Sequence, residues 1–378
     1  MRRTKRWFFV LALLLMLWPL YGKWADRSRF ALRGVTTGQE QPTATWQGVL
    51  DGSYLSQMDD WWRNTLPGRT FLIRVRNQLR YDMMGTSTNI NVEVGSQGSL
   101  YETTYISSYL GTLANLPVER AEQMAANLEA LQALLREHGK ELYLFISPSK
   151  ARFDQNYPWY YRHVEPQQND YDRLVQALQG STVPCFDTVR WLQQNQGRLQ
   201  APLFYPTGIH WDYCWGNLAT AAFLDEITAS GRFSLAHIEV GEEPCDRVLS
   251  PNSDLYDLLN LLPRARVENY APVLQVTPGQ QKPGVFIRGS SFLDQSLRMA
   301  VEQGVFGYAA ILDNINCKQY QGNELIDQSV FTEYEALDLK SMLAQSDLVI
   351  LECNESDVCN LSWGTVVYLL AHPELLGD

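Results

Sequence analysis

Val285-Phe286-Ile287-Arg288-Gly289-Ser290-Ser291-Phe292 predicts a buried β-strand that ends in a glycine turn, carries two serines and then enters a helix. Upstream, Thr207-Gly208-Ile209-His210-Trp211 places one of the chain's five histidines just before a helical run. A serine on a strand-to-helix turn and a histidine on a loop supply a nucleophile and a base. We therefore take Ser291 and His210 as the candidate nucleophile and general base.

Each of these residues also has a simpler interpretation. A serine on a turn usually caps a helix, because its oxygen accepts a hydrogen bond from a free N–H group of the first helical turn. A lone histidine beside a tryptophan is more often structural than catalytic. Their context decides between the two interpretations.

Around the two stretches, short apolar runs alternate with helical ones, which is typical of α/β proteins. We expect a parallel sheet of about five strands with helices on both faces. The predicted strands are residues 142–146, 183–187, 285–287, 308–312 and 348–352. Ligands bind such sheets at the carboxyl ends of the strands. Residues 147–150, 290–291 and 352–355 follow three of these strands.

The N-terminus predicts a membrane anchor. Four cations in the first six residues precede an apolar run, residues 7–21. The next three residues extend this run toward the length of about 20 that a membrane span needs. No small-x-small cleavage site follows, which favours an uncleaved anchor over residues 1–24. The excess of positive charge keeps the tail in the cytoplasm. We expect a spacer over residues 25–45 and one extracytoplasmic domain over residues 46–378.

Composition restricts the class of partner. Forty-two acidic residues against 31 basic ones give a net charge of −11, which argues against nucleic acid. The sequence contains no Cys-x-x-Cys pair and no His/Cys cluster, so we expect neither a metal site nor a cofactor. The six cysteines are compatible with free thiols or with as many as three disulfides.

The chain from about residue 46 to the C-terminus resembles the SGNH-hydrolase-like proteins of the alginate O-acetyltransferase type (AlgX/AlgJ-like, DHHW). Seven segments carry the resemblance in the family's order: residues 66–69, 94–100, 146–150, 207–211, 254–260, 289–292 and 352–355. The resemblance implies an SGNH-hydrolase-like fold with Ser291 as nucleophile and His210 as general base. It also implies a protein outside the membrane that receives acetyl groups with the help of a membrane-bound O-acyltransferase. Such proteins place acetyl groups on polysaccharide hydroxyls.

The sequence departs from the family pattern at two acidic positions. The aspartate two residues before the histidine falls on Gly208, and the aspartate before the serine falls on Ser290. A triad without its carboxylate loses control of the histidine tautomer. We take Asp212 as the first candidate to replace the triad aspartate. More distant candidates are Asp254 and Asp257, and Asp187, Glu352, Asn354 and Glu355 are further residues at the sheet edge.

The leading hypothesis is an extracytoplasmic, membrane-anchored O-acetyltransferase that acts on a cell-envelope or secreted polysaccharide through Ser291, His210 and Asp212. The first alternative is a non-catalytic polysaccharide-binding or scaffolding subunit of an export complex, which the missing aspartates favour. The second is a carbohydrate acetylesterase that uses the same residues with water as the acceptor.

Overall fold

A computed structural model describes residues 6–7, 9–10, 13, 17, 32–33, 40–65, 68–113, 115–247, 249–262 and 268–377. Most of the predicted anchor and most of the predicted spacer lie outside these residues. Within the described part of the chain, no helix is both long and apolar enough to cross a membrane. The chain divides into an N-terminal unit, residues 1–94 with 255–265, and a main unit, residues 95–254 with 266–378.

Eleven strands are described, in chain order: β1 (Val92–Val94), β2 (Leu100–Glu102), β3 (Glu141–Ser147), β4 (Cys185–Asp187), β5 (His237–Cys245), β6 (Asn269–Thr277), β7 (Gly284–Gly289), β8 (Tyr308–Asp313), β9 (Asn316–Gln321), β10 (Glu324–Val330) and β11 (Leu348–Asn354).

The α-helices within the described residues are α1 (Trp46–Leu50), α2 (Ser53–Thr65), α3 (Arg69–Met84), α4 (Thr103–Tyr109), α5 (Val118–Glu137), α6 (Lys150–Phe153), α7 (Asp170–Ala177), α8 (Thr188–Asn195), α9 (Tyr213–Ala229), α10 (Asp254–Leu258), α11 (Arg298–Glu302), α12 (Leu339–Ala344) and α13 (Thr365–Ala371). Shorter 3₁₀ turns include Ser291–Gln295 and Glu355–Gly364.

In the N-terminal unit, α1 to α3 follow one another with polar caps and glycine turns. The side chain of Thr45 caps α1 by accepting a hydrogen bond from the N–H of Gly48. Gly68 before α3 and Gly85 after it both adopt the left-handed conformation. The segment that begins after Asp254 packs on α3, since the Asn77 amide donates to the Leu259 carbonyl at 2.9 Å.

The main unit is built on a seven-stranded sheet with the order β10-β9-β8-β7-β11-β3-β4. The five strands from β8 to β4 are parallel and coincide with the five predicted strands. The last two, β9 and β10, run antiparallel, so the sheet is mixed rather than parallel as predicted. Strand β10 is almost wholly exposed at the sheet edge. An exposed edge strand does not need a run of apolar residues, so the apolar pattern of the sequence did not predict β10.

Both faces of the parallel strands are buried. Strands β3, β7 and β11 are buried along their whole length. Phe145, Ile287 and Ile350 pack with α9 on one face. Leu144, Phe286 and Leu351 pack with α5 on the other. Because parallel strands with two covered faces need continuous apolar sequence, this core is what the periodicity detected.

Capping residues set both ends of helix α5 and the start of helix α9. Helix α5 follows Pro117 at its N-cap and stops before Gly139, whose φ of +74° places it in the left-handed region. Helix α9 starts after Asp212, whose side chain caps it. Next to α9, β5 and β6 form a separate antiparallel pair.

Candidate active site

The serine pair lies on a tight turn at the carboxyl end of β7. Ser290 caps the 3₁₀ turn Ser291–Gln295, because its Oγ accepts a hydrogen bond from the Phe292 N–H at 3.2 Å. The preceding position has no room for a side chain: a Cβ on Gly289 would lie 2.6 Å from an oxygen of Glu352. The turn therefore presents Ser291 at the end of a central strand.

A buried carboxylate, Glu352, lies against this turn from the neighbouring strand β11. It accepts hydrogen bonds from the N–H of Ser290 at 2.6 Å and from the Ser290 hydroxyl at 3.2 Å. The Ser147 hydroxyl at the end of β3 also donates to it. Burial raises the pKa of Glu352, and these donors oppose the rise. Residues 147, 290 and 352 thus lie together at the carboxyl ends of neighbouring strands, as the sequence predicted.

Ser291, His210 and Asp254 form a continuous hydrogen-bonded line. Nε2 of His210 lies 2.8 Å from Oγ of Ser291, and Nδ1 lies 2.5 Å from Oδ2 of Asp254. An ionised aspartate only accepts, so Nδ1 carries the proton and Nε2 is left to accept the serine proton. The Phe292 ring packs on the imidazole, with ring centroids 4.7 Å apart. This is the geometry of a nucleophile, a base and an orienting carboxylate.

Asp254 reaches His210 because two segments, residues 207–210 and 251–254, lie side by side. The Thr207 hydroxyl donates to the Asn252 carbonyl at 2.6 Å. The Ile209 N–H donates to Oδ1 of Asp254 at 2.9 Å. One carboxylate oxygen of Asp254 therefore holds the backbone beside His210, and the other holds its ring.

Gly208 lies within this contact. A Cβ on Gly208 would come within 2.0 Å of the Pro251 carbonyl oxygen, so the close approach of the two segments requires glycine. The position where the family pattern has its aspartate therefore cannot carry a side chain here.

Asp212, our first candidate for the triad carboxylate, has a different role. It is fully buried and caps α9, with its Oδ1 accepting from the Cys214 N–H at 2.8 Å. Its Oδ2 faces the Asn252 amide at 3.4 Å. Burial raises its pKa to about 6, against the hydrogen bonds that lower it. The prediction that Asp212 orients His210 is thus corrected: Asp254, a more distant candidate, is at Nδ1.

The other acidic candidates are engaged elsewhere. Asp257 pairs with Arg33 at 2.8 Å. Asp187 caps α8 and accepts from the Tyr171 hydroxyl at 2.8 Å. Glu355 pairs with Arg152 at 2.5 Å. Asn354 donates to the Pro148 carbonyl at 2.9 Å. The contacts of Asp187, Asn354 and Glu355 lie near the carboxyl ends of β4 and β11, whereas the Asp257 pair belongs to the N-terminal unit.

Three residues that the sequence did not single out lie near His210 or Ser291. Burial raises the pKa of Glu102, and His210 opposes this rise electrostatically. Tyr105 stacks on Phe292 with centroids 6.4 Å apart. Asp313 ends β8 in register with Gly289, and burial raises its pKa to about 6. Its place at the end of a predicted strand was the one signal that could have identified Asp313.

The sequence left the pairing of the six cysteines open. All six cysteines are free thiols. Across the described ranges, no group of three or more histidine, cysteine or acidic side chains has the arrangement of a metal site.

A serine at a strand end, with a histidine and an aspartate from two neighbouring loops, is a Ser-His-Asp arrangement that occurs on several unrelated folds. The family model described as "SGNH hydrolase-like domain, acetyltransferase AlgX" matches residues 94–296, more than half of the chain. The protein belongs to this family. The match spans Ser291, His210 and Asp254. A comparison with curated protein sequences gives no match.

Three solved structures illustrate what this chain is similar to. The O-acetyltransferase domain of Pseudomonas putida AlgJ has 17% identity and a TM-score of 0.46, and the match covers 74% of this chain and 98% of that domain. Pseudomonas aeruginosa AlgX has 12% identity and a TM-score of 0.43, covering 78% of this chain and 69% of that one. Bacillus cereus PatB1 has 13% identity and a TM-score of 0.42, with 64% and 91% covered.

Proposed function

We propose that this protein is an O-acetyltransferase that carries an acetyl group on Ser291 and transfers it to hydroxyl groups of a cell-envelope or secreted polysaccharide. The observation that carries the proposal is the line from Ser291 through His210 to Asp254, at 2.8 and 2.5 Å. Membership of the AlgX acetyltransferase family supports the acetyl group as the one transferred.

In the first half-reaction, Oγ of Ser291 attacks the carbonyl carbon of the acetyl donor while its proton passes to Nε2 of His210. The tetrahedral intermediate collapses, and the leaving group departs with that proton. In the second half-reaction, a sugar hydroxyl attacks the acetyl-serine and gives its proton to Nε2. The Ser291 oxygen then leaves and recovers the proton, so the protein returns to its starting state. Asp254 holds the imidazolium that forms in each half.

The backbone N–H of Ser291 is the proposed donor to the oxyanion. Ser291 is the first residue of a 3₁₀ turn, where N–H groups have no acceptor within the helix. Glu352 engages the adjacent Ser290 N–H, so it fixes the turn without competing for that donor.

The proposal includes location and partners. We place the main domain outside the cytoplasmic membrane, anchored by residues 1–24, with a membrane-bound O-acyltransferase supplying acetyl groups. The charged tail and apolar run of the sequence support this arrangement.

Of the two alternatives, the non-catalytic one rested on the two missing family aspartates. Asp254 at Nδ1 of His210 takes the place of the one in the triad, which supports the catalytic proposal. The esterase alternative differs only in whether water or a sugar hydroxyl attacks acetyl-Ser291. The test must therefore identify which of the two receives the acetyl group.

The first experiment incubates the purified full-length protein with p-nitrophenyl acetate and maps the acetylated peptide by mass spectrometry. We expect acetyl on Ser291, none in Ser291→Ala, and a large loss in His210→Ala. Wild-type protein that acquires no more acetyl than Ser291→Ala would refute the proposal.

A second experiment adds polysaccharide fragments to the acetylated protein. Acetyl esters on the sugar support transfer. Release as acetate alone, at the same rate with and without sugar, would instead identify an esterase.

A further inference from the structure

Lys150 is a buried cation that the proposed reaction does not use. Its side chain has no solvent exposure. Nζ donates to four backbone carbonyl oxygens, those of Leu100, Tyr205 and Gly208 at 2.8 Å and that of Pro206 at 2.9 Å. Because an ammonium has only three protons, one of them is shared between two carbonyls. Lys150 thus meets backbone carbonyls, and it is not exposed to solvent.

Three of the four carbonyls lie in one short segment, residues 205–208, which leads directly to His210. The fourth, Leu100, belongs to β2, and Lys150 itself begins α6 immediately after β3. The ammonium thus ties the segment before the histidine to two other parts of the main unit. Asp254 holds the next residue along the chain through the Ile209 N–H.

We infer that Lys150 is a positioning residue that fixes the His210 segment so that Nε2 stays within hydrogen-bond distance of Ser291. This inference rests on the proposed function. Four carbonyl dipoles surround the ammonium, and Tyr101 lies 4.9 Å from Nζ. Buried cations persist in proteins when such partners replace water. Removing the charge leaves four carbonyls without their common donor, and the segment is then free to shift.

Burial lowers the pKa of Lys150 to about 7, while the nearby carboxylates of Asp154 and Asp254 raise it. One of the charges that favour the ammonium is therefore the triad aspartate. The same carboxylate is hydrogen-bonded to His210. Lys150, the segment before the histidine and the triad therefore form one connected group.

The chain supplies a matched control in Lys140. This lysine is also buried, with 7% of its surface exposed, and its Nζ donates to the carbonyls of Leu343 and Ser346 at 2.8 Å. Those carbonyls lie at the end of α12, next to the start of β11 rather than its carboxyl end. Lys140→Met therefore removes a buried ammonium of the same kind without touching the His210 segment.

The experiment compares Lys150→Met and Lys140→Met in the full-length protein. Ser291 acetylation by p-nitrophenyl acetate is followed over a range of ester concentrations. We expect Lys150→Met to lower the first-order rate constant about 100-fold, because small misplacements of catalytic groups cost this much. The half-saturating ester concentration should change less than about threefold. Lys140→Met should lower Tm but keep the wild-type rate constant.

A second readout does not depend on chemistry. Hydrogen–deuterium exchange of peptides covering residues 203–212 should become faster in Lys150→Met and stay at the wild-type rate in Lys140→Met. Equal acetylation rates and equal exchange in the two variants would overturn the inference. If the wild type takes up no acetyl, the proposed function fails, and exchange alone still decides whether Lys150 fixes the segment.

Should Lys150→Met not fold, Lys150→Gln keeps two donors in the site and is measured in the same way. The wild type offers a further check. The N–H groups of Gly208, Ile209 and Asp212 all have acceptors in the structure. Protection of these amides agrees with a fixed segment, and exchange as fast as in an unstructured peptide contradicts it.

Discussion

Oδ2 of Asp254 lies 2.5 Å from Nδ1 of His210, although 44 positions separate the two residues in the sequence. The family pattern places the triad aspartate two residues before the histidine, on the same loop. Here the histidine loop carries Gly208 at that position, and a different segment, residues 251–254, supplies the carboxylate. The charge and its hydrogen bond are thus supplied from a different place in the chain.

The assignment of Asp254 predicts how two isosteric substitutions differ. Asp254→Asn should lower the rate of Ser291 acetylation on the order of 10⁴-fold, because the amide no longer fixes the reactive tautomer of His210. Asp212→Asn should keep the rate within about threefold, since asparagine caps a helix as well as aspartate does. Burst-phase kinetics with p-nitrophenyl acetate measure both. The reverse ranking would return the triad role to Asp212.

The sequence was sufficient for the features that depend on local pattern. The five parallel strands are continuous apolar runs because both of their faces are covered, and Ser291 follows one of them directly. Strand β10 was missed because it is exposed at the edge of the sheet and carries polar side chains.

Local sequence pattern could not identify the carboxylate that pairs with His210. Asp212 is the nearest aspartate along the chain, but its direction is set by the start of α9, where it caps the helix. Asp254 comes close only because Gly208 allows the Pro251 backbone to approach. Such a contact between distant segments leaves no periodic signal, so a candidate list was all that the sequence supported.

The same contact predicts that the family aspartate cannot be restored. Gly208→Asp should destabilise the protein and fail to recover acetylation in the Asp254→Asn background, because its Cβ would lie 2.0 Å from the Pro251 carbonyl oxygen. Gly241→Ala is the control, since the atoms nearest to its added Cβ are 3.8 Å away. Thermal unfolding and acetylation rates test both. Recovery of activity in the double variant would show that the two segments separate readily.

Glu352 predicts a link between a buried carboxylate and the shape of the serine turn. Glu352→Ala should lower the free energy of unfolding by about 1–3 kcal/mol, because the Ser290 N–H loses its acceptor. It should also slow acetylation, since the turn that presents Ser291 is no longer fixed. Glu352→Gln keeps an acceptor and should have the smaller effect on both. Urea unfolding and burst kinetics measure the two effects, and equal stability of the Ala and Gln variants would exclude this role.

The buried carboxyl of Asp313 should make the stability of the folded protein depend on pH. Burial raises its folded pKa from 3.8 to about 6, so the folded state holds the proton more tightly than the unfolded chain does. The contribution of this carboxyl to stability therefore falls as pH rises from about 4 to about 6 and stays low above that range. Its Oδ1 is buried and has no hydrogen-bond partner among the described residues, and the nearby cations Lys318 and Arg288 offset only part of the effect of burial. Asp313→Asn should raise Tm at pH 8 and have little effect near pH 3, where the wild-type carboxyl is mostly protonated in both states. Thermal unfolding at the two pH values tests this against Glu324→Gln, the same chemical change on the exposed strand β10. A Tm difference that does not depend on pH would mean that the charge of Asp313 is compensated in the folded protein.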